Sequence, residues 1–140
     1  MKLESTTEAL ERLAIKQGAT LGNMSRPDLL LTLALAARCV PRGSVLTERE
    51  VNAALKDWLG STGAMLHIDH VELRRALVDG GLWQRDGFGR AYERAPSIAN
   101  AEVADAVDAL ATLDAERIVG AARRRRDADR AARKARATAG

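Results

Sequence analysis

The chain of 140 residues has the size of one ordinary domain, enough to bury a single core without disulfides or a structural metal. Hydrophobic residues make up 46% but aromatics only 3%, so the core has to be aliphatic; the single cysteine, Cys39, excludes an internal disulfide and fits a reducing compartment as a small buried hydrophobe. The formal charge of +3 is uneven: residues 120–140 hold eight Lys or Arg against two Asp, about +6, and residues 1–119 hold 14 basic and 17 acidic side chains, about −3.

The opening residues contain acids and no long apolar run, which argues against a signal peptide or anchor, and no segment has the length needed to span a bilayer. A soluble cytoplasmic protein with no membrane partner is expected. Ser5 and Glu8 have the spacing of a capping box, and Leu10, Leu13 and Ala14 follow at helical intervals, predicting a first helix over about 6–17. Ser25, Pro27 and Asp28 open a second helix that is apolar on nearly every side, hence central. Pro41 and Gly43 stop it, and Val45 and Leu46 read as a short extended piece.

Thr47 and Glu50 form another capping box, and Val51, Ala54, Leu55, Trp58 and Leu59 give a third helix ending at Gly60. Asp69 sits three positions before Glu72 as a cap, and Leu73, Ala76 and Leu77 form the inward face of a fourth helix closed by Gly80 and Gly81. Residues 82–85 and 90–94 then read as two strands around a turn containing Asp86, Gly87 and Gly89. Leu82 and Tyr92 face inward, as does Trp58, and Arg85, Arg90 and Arg94 lie near solvent. Helix, helix and hairpin in this order is the plan of a mainly α, winged helix-turn-helix-like domain with a small β-hairpin wing.

Val103, Val107, Leu110, then Leu113 or Asp114, and Ile118 continue a three-four rhythm from Ala99, giving a long C-terminal helix. Its stripe needs a partner, either the core of the same chain or a second copy in a homodimer through residues 99–119. Past Gly120 only Ala is apolar, so the tail reads as frayed or disordered. The chain thus divides into an N-terminal helix and linker (1–26), the winged-helix-like domain (27–95), the C-terminal helix (96–119) and a basic tail (120–140).

The run LTEREVN from Leu46 to Asn52, Asp69, LRRALVD from Leu73 to Asp79, Gly81-Leu82, Arg85-Asp86 and Tyr92 together resemble a small prokaryotic family, domain of unknown function 2087, over about residues 27–94. The resemblance implies a winged-helix module, occurring alone or attached to regulator-type DNA-binding domains, and so an association with transcription; it supplies no biochemical activity. The chain departs from the family pattern by an inserted GSTGAMLHI segment, residues 60–68, between the two central helices.

In a winged module the second helix of the pair enters the major groove and the wing touches phosphate. Arg74 and Arg75 are the side chains of that helix able to make a bidentate contact to guanine. Asp69, Glu72 and Asp79 on the same helix make its local charge about −1, and one arginine could instead pin Asp69, Glu72 or Glu50 and orient the helices. Arg85, Arg90 and Arg94 are the candidate phosphate contacts of the wing, and Phe88 at its tip either wedges against a base or folds back. Arg123, Arg124, Arg125 and Arg126 begin the tail that adds sequence-blind attraction.

DNA is therefore the expected partner, bound by a small transcriptional regulator or DNA-associated factor. The alternatives are a protein-interaction module that keeps the fold without reading DNA, with an acidic protein as one partner class, and an RNA- or ribosome-associated factor. His67, Asp69 and His70, with Cys39, offer metal-ligand types, but their spacing matches no closed zinc pattern. Without a Gly-rich phosphate loop, an HExxH pair or a nucleophile elbow, no catalysis, cofactor or metal is expected.

Overall fold

The computed structural model describes residues 4–139. Among these the chain is mainly helical, with six α-helices and one small three-stranded antiparallel sheet. Helix α1 (Thr6–Ala14) is opened by the expected capping box: Ser5 Oγ accepts from the Glu8 amide at 3.1 Å, and the Ser5 amide donates back to the Glu8 carboxylate at 3.3 Å. Its inward residues are Leu10, Leu13 and Ala14. It ends three residues earlier than its sequence suggests.

Helix α2 (Arg26–Ala36) buries Leu31, Thr32, Leu33, Ala34, Leu35 and Ala36, nearly its whole circumference, because α1, α4 and α5 all lean on it. Asp28 in its first turn is 5% exposed and is held by Arg12 of α1 through bonds of 2.8 and 2.7 Å, with the Lys16 ammonium 3.7 Å away. The Arg12 guanidinium keeps the Asp28 carboxyl below the usual carboxylate range, against the opposing effect of burial. A 3-10 turn, Ala37–Cys39, follows. Burial, with a smaller push from Glu116, moves the Cys39 thiol up to about 12, so it stays protonated and inert at neutral pH.

Strand β1 (Leu46–Thr47) runs directly into α3 (Glu48–Leu59), which Thr47 and Glu50 cap reciprocally. Helix α4 (His70–Asp79) starts from Asp69, whose carboxylate accepts from the Glu72 amide at 2.8 Å. Val51, Leu55 and Trp58 of α3 meet Leu73 and Leu77 of α4 in the core. Strands β2 (Trp83–Arg85) and β3 (Ala91–Arg94) form the expected hairpin, with Gly89 at φ +67 in its turn. The hairpin gains a third strand: β1 pairs with β3, Leu46 opposite Tyr92, so the spatial order is β1-β3-β2. Trp83 is buried, and its indole donates to the Ala37 carbonyl at 3.0 Å, tying the hairpin to the end of α2.

The C-terminal part departs from the sequence reading in two ways. The single helix expected over 96–119 is two, α5 (Ala101–Ala111) and α6 (Ala115–Ala139), broken at residues 112–114. Asp114, one of the candidates for the apolar stripe, faces the first turn of α6 and accepts from the Arg117 amide at 3.4 Å. The segment 120–139 is not a separate tail but the continuation of α6. The stripe of Val103, Val107 and Leu110 finds its partner inside the chain, against α2, and Ala115, Val119 and Ala122 carry the buried face onward against α1.

The inserted segment is part of this assembly. Gly63 lies so close under the Trp58 ring that a Cβ there would stand 2.2 Å from its carbons, which only glycine permits. Met65 and Leu66 enter the core, and the backbone pairs with the N-terminal linker, Ala19 donating to Met65 at 3.1 Å and His67 to Ala19 at 2.7 Å. No helix among the described residues is long and apolar enough to cross a membrane.

Candidate nucleic-acid interface

The two adjacent arginines of α4 have opposite environments. Helical geometry turns Leu73 and Leu77 inward and leaves Arg74 on the flank facing α3. There its guanidinium donates to Asn52 Oδ1 at 2.6 Å, pairs with Glu48 at 3.2 Å and lies 5.8 Å from the Tyr92 ring centroid. Its side chain is 13% exposed. Arg74 thus braces α4 against α3 and β3. The sequence anticipated that one of the pair would orient the helices, but its partners are Glu48 and Asn52 rather than Asp69, Glu72 or Glu50. Arg75 is exposed and has no hydrogen bond or ion pair among the described residues, though Glu72 and Asp79 are exposed on the same helix.

At the hairpin, Arg85 and Arg90 are exposed, and Phe88 at the tip is 83% exposed. The Arg90 guanidinium stands 5.7 Å over the Phe88 ring. The turn is shaped by Asp86, whose side chain accepts from the Arg90 amide at 2.8 Å and whose carbonyl accepts from Gly89 at 3.1 Å. The Arg90 amide, more than those of Ala91 and Phe88, holds the Asp86 carboxyl below its ordinary range against the opposing effect of desolvation. Arg90 also borders an open groove of about 820 Å³ along the outer face of α3, where Arg49 and Lys56 alternate with Glu48 and Asp57. Arg94 lies apart from this tip, half-buried at the root of the hairpin.

Along α6 the basic residues divide at Asp127. Arg123 is drawn into the core surface: its Nε donates to the Ala14 carbonyl at 2.9 Å, its Nη1 to Ser61 at 2.7 Å and its Nη2 to Thr62 at 2.8 Å. One guanidinium thereby closes the end of α1 and the inserted loop together. Arg125 pairs with Glu11 of α1, Arg126 with its neighbour Asp127 at 3.1 Å, and Arg124 is exposed. From Asp127 to Ala139 every residue is exposed, and Arg130, Arg133, Lys134 and Arg136 have no ionic partner among the described residues.

The structure therefore brings Arg85, Arg90 and Phe88 together at one tip, leaves Arg75 free on α4, and gives Arg74 and Arg123 internal partners. The clamp of Arg123 carried one sequence signal: Ala115, Val119 and Ala122 recur at steps of four and three, so the buried stripe runs past Gly120 to its edge. His67, Asp69 and His70 belong to no cluster positioned to hold a metal ion among the described residues.

The model of a family described as an uncharacterized protein conserved in bacteria, DUF2087, matches residues 24–94. No curated protein and no solved structure matches the chain.

Proposed function

The chain belongs to the DUF2087 family, and from that footing we propose that it is a small DNA-binding protein whose affinity comes chiefly from phosphate contacts. The single observation that carries this reading is the projecting half of α6, exposed throughout residues 127–139, with four cations that have no ionic partner among the described residues. Such an element has no packing role, and a polyanion is the partner that would neutralise it.

The order α2, β1, α3, α4, β2, β3, with β3 central in the sheet, supports reading the middle of the chain as a winged helix. On that reading Arg75 is the residue of α4 left to approach base edges, and Arg85 and Arg90 reach phosphate from the wing with Phe88 between them. Glu72 and Asp79 beside Arg75 limit how much sequence this face reads, so the protein is better described as a DNA-associated factor than as a highly selective regulator.

A second reading, a protein-interaction module, is favoured by one observation: Arg74 is engaged inside the fold, leaving α4 with an exposed face of one base and two acids. Fluorescence anisotropy with duplex DNA across a salt series separates the two. Truncation after Asp127 keeps the Arg123 clamp and removes four cations. The expected result is a log K against log salt slope shallower by about 3 to 4, with residual binding weakened further by Arg85→Gln/Arg90→Gln. Unchanged binding on truncation defeats the phosphate reading, and absence of DNA binding by the full chain favours the interaction module.

A further inference from the structure

A second basic cluster lies at the root of the hairpin. Arg38 on the 3-10 turn, Arg42 in the loop after Pro41 and Arg94 at the end of β3 line one small cleft of about 50 Å³, closed on its other side by Val107 and Leu110 of α5. One carboxylate answers them: Glu116 accepts from Arg38 at 2.9 and 3.3 Å. The side chains of Arg42 and Arg94 have neither hydrogen bond nor ion pair among the described residues. Three guanidiniums against one carboxylate leave a charge of about +2 in a cleft that is partly out of water, where like charges repel more strongly than on an open surface.

Helix dipoles explain part of the arrangement, since the C-terminal ends of α2 and α5 favour cations. An arginine recruited by helix carbonyls, however, donates to them, as Arg123 does to Ala14. Arg42 and Arg94 do not. Burial, and then the charges of Arg42 and Arg38, lower the pKa of the Arg94 guanidinium, in the direction expected of a cation lacking a counter-ion. The size of the cleft limits what supplies it: a water molecule's share of the liquid is about 30 Å³, so 50 Å³ admits one compact group and not a nucleoside.

We propose that Arg38, Arg42 and Arg94 form a binding site for a single tetrahedral oxyanion, a phosphate group that is free or terminates a small ligand. The guanidinium forks of Arg42 and Arg94, with the Nη1 of Arg38 that Glu116 does not engage, supply donors to the oxygens of such a group, and the apolar wall of α5 excludes bulk beyond it. The site joins the 3-10 turn, the 40–43 loop and the hairpin root, so its occupancy fixes how the hairpin sits on the end of α2. This inference does not depend on DNA binding.

The test is titration of the full chain with inorganic phosphate at ionic strength held constant with chloride, followed calorimetrically and by Trp83 fluorescence. Trp83 pairs with Arg94 across the hairpin and bonds to Ala37 beside Arg38, so it reports the site. Expected is saturable one-site binding, weakened about tenfold or more by Arg94→Gln and by Arg42→Gln, and unaffected by Arg75→Gln. Arg42 is exposed, which keeps one variant informative should Arg94→Gln alter the fold. Absence of saturable binding, or binding that survives both substitutions, overturns the proposal. Loss of DNA affinity in Arg94→Gln without any phosphate binding also overturns it, making the cluster a contact to the DNA backbone.

Discussion

Both halves of α6 are rich in Ala and Arg, the proximal one adding Glu116, Ile118 and Val119, yet they behave as different materials. Up to Arg126 the helix lies on α1, and Arg123 alone engages three carbonyls from two separate elements. Beyond Asp127 nothing among the described residues answers the arginines. Composition therefore does not decide whether an arginine belongs to the fold or to a partner; the decision is made by what the neighbouring backbone leaves unsatisfied. The open end of α1 and the inserted loop present carbonyls that need donors, and Arg123 is at the right height on the helix to supply them. The distal half holds helical form because it extends a helix already nucleated on the core, with Asp127 and Asp129 placed three and four residues before Arg130 and Arg133.

The sharpest test sets Arg123→Ala against Arg133→Ala. Removing Arg123 leaves three carbonyls without their donor and should cost about 2–3 kcal/mol by denaturant unfolding. Arg133→Ala should leave the unfolding midpoint where it was; equal losses in the two variants would erase the distinction between the halves. Next in size is Gly63→Ala, which drives a methyl into the Trp58 ring and displaces the loop that Arg123 holds. It should destabilise by about 1–3 kcal/mol while leaving DNA affinity of the surviving folded protein unchanged.

Acid should loosen the proximal half through Asp28. Its folded-state pKa is depressed by Arg12, so its contribution is complete above the ordinary carboxylate range, near pH 4, and is lost as pH falls through the lower folded value. Asp28→Asn should flatten that part of the pH profile of the melting temperature. An unaltered profile would mean that α1, and with it the seat of α6, does not depend on this pair. The smallest effect is local: amides of 128–139 should exchange with solvent far faster than those of 116–126, and duplex DNA should slow them by relieving repulsion between Arg130 and Lys134, and between Arg133 and Arg136.

Local chemistry made much of the fold readable. The caps at Ser5, Ser25, Thr47 and Asp69 are all in place, as are the inward positions of Trp58, Leu82 and Tyr92, because each depends on residues a few positions away. What escaped sequence reading depends on distant partners. The extended piece at Leu46 was readable, but not its pairing: strand β1 is only two residues long and is held by β3 beside it. Arg74 and Arg75 look equivalent in the chain; Asn52, 22 positions away, separates them. The site was legible as a list of basic residues, whereas their division between internal braces and free surface was set by packing. The break at 112–114 was hidden because Leu113 or Asp114 fitted the helical rhythm, and that rhythm carries no information about where one helix stops and the next is capped.

The Arg123 clamp also dictates an order of events during synthesis. It ties residue 123 to Ala14 across 109 positions, and the face of α1 formed by Leu10, Leu13 and Ala14 is completed by α6. At roughly 5–20 residues per second, α1 waits about 5–20 s on the ribosome before its permanent cover is translated. The first helix made is therefore among the last to be sealed. Nascent chains that stop short of Arg123 should present that apolar face to chaperones and proteases even when the family module between them has already folded.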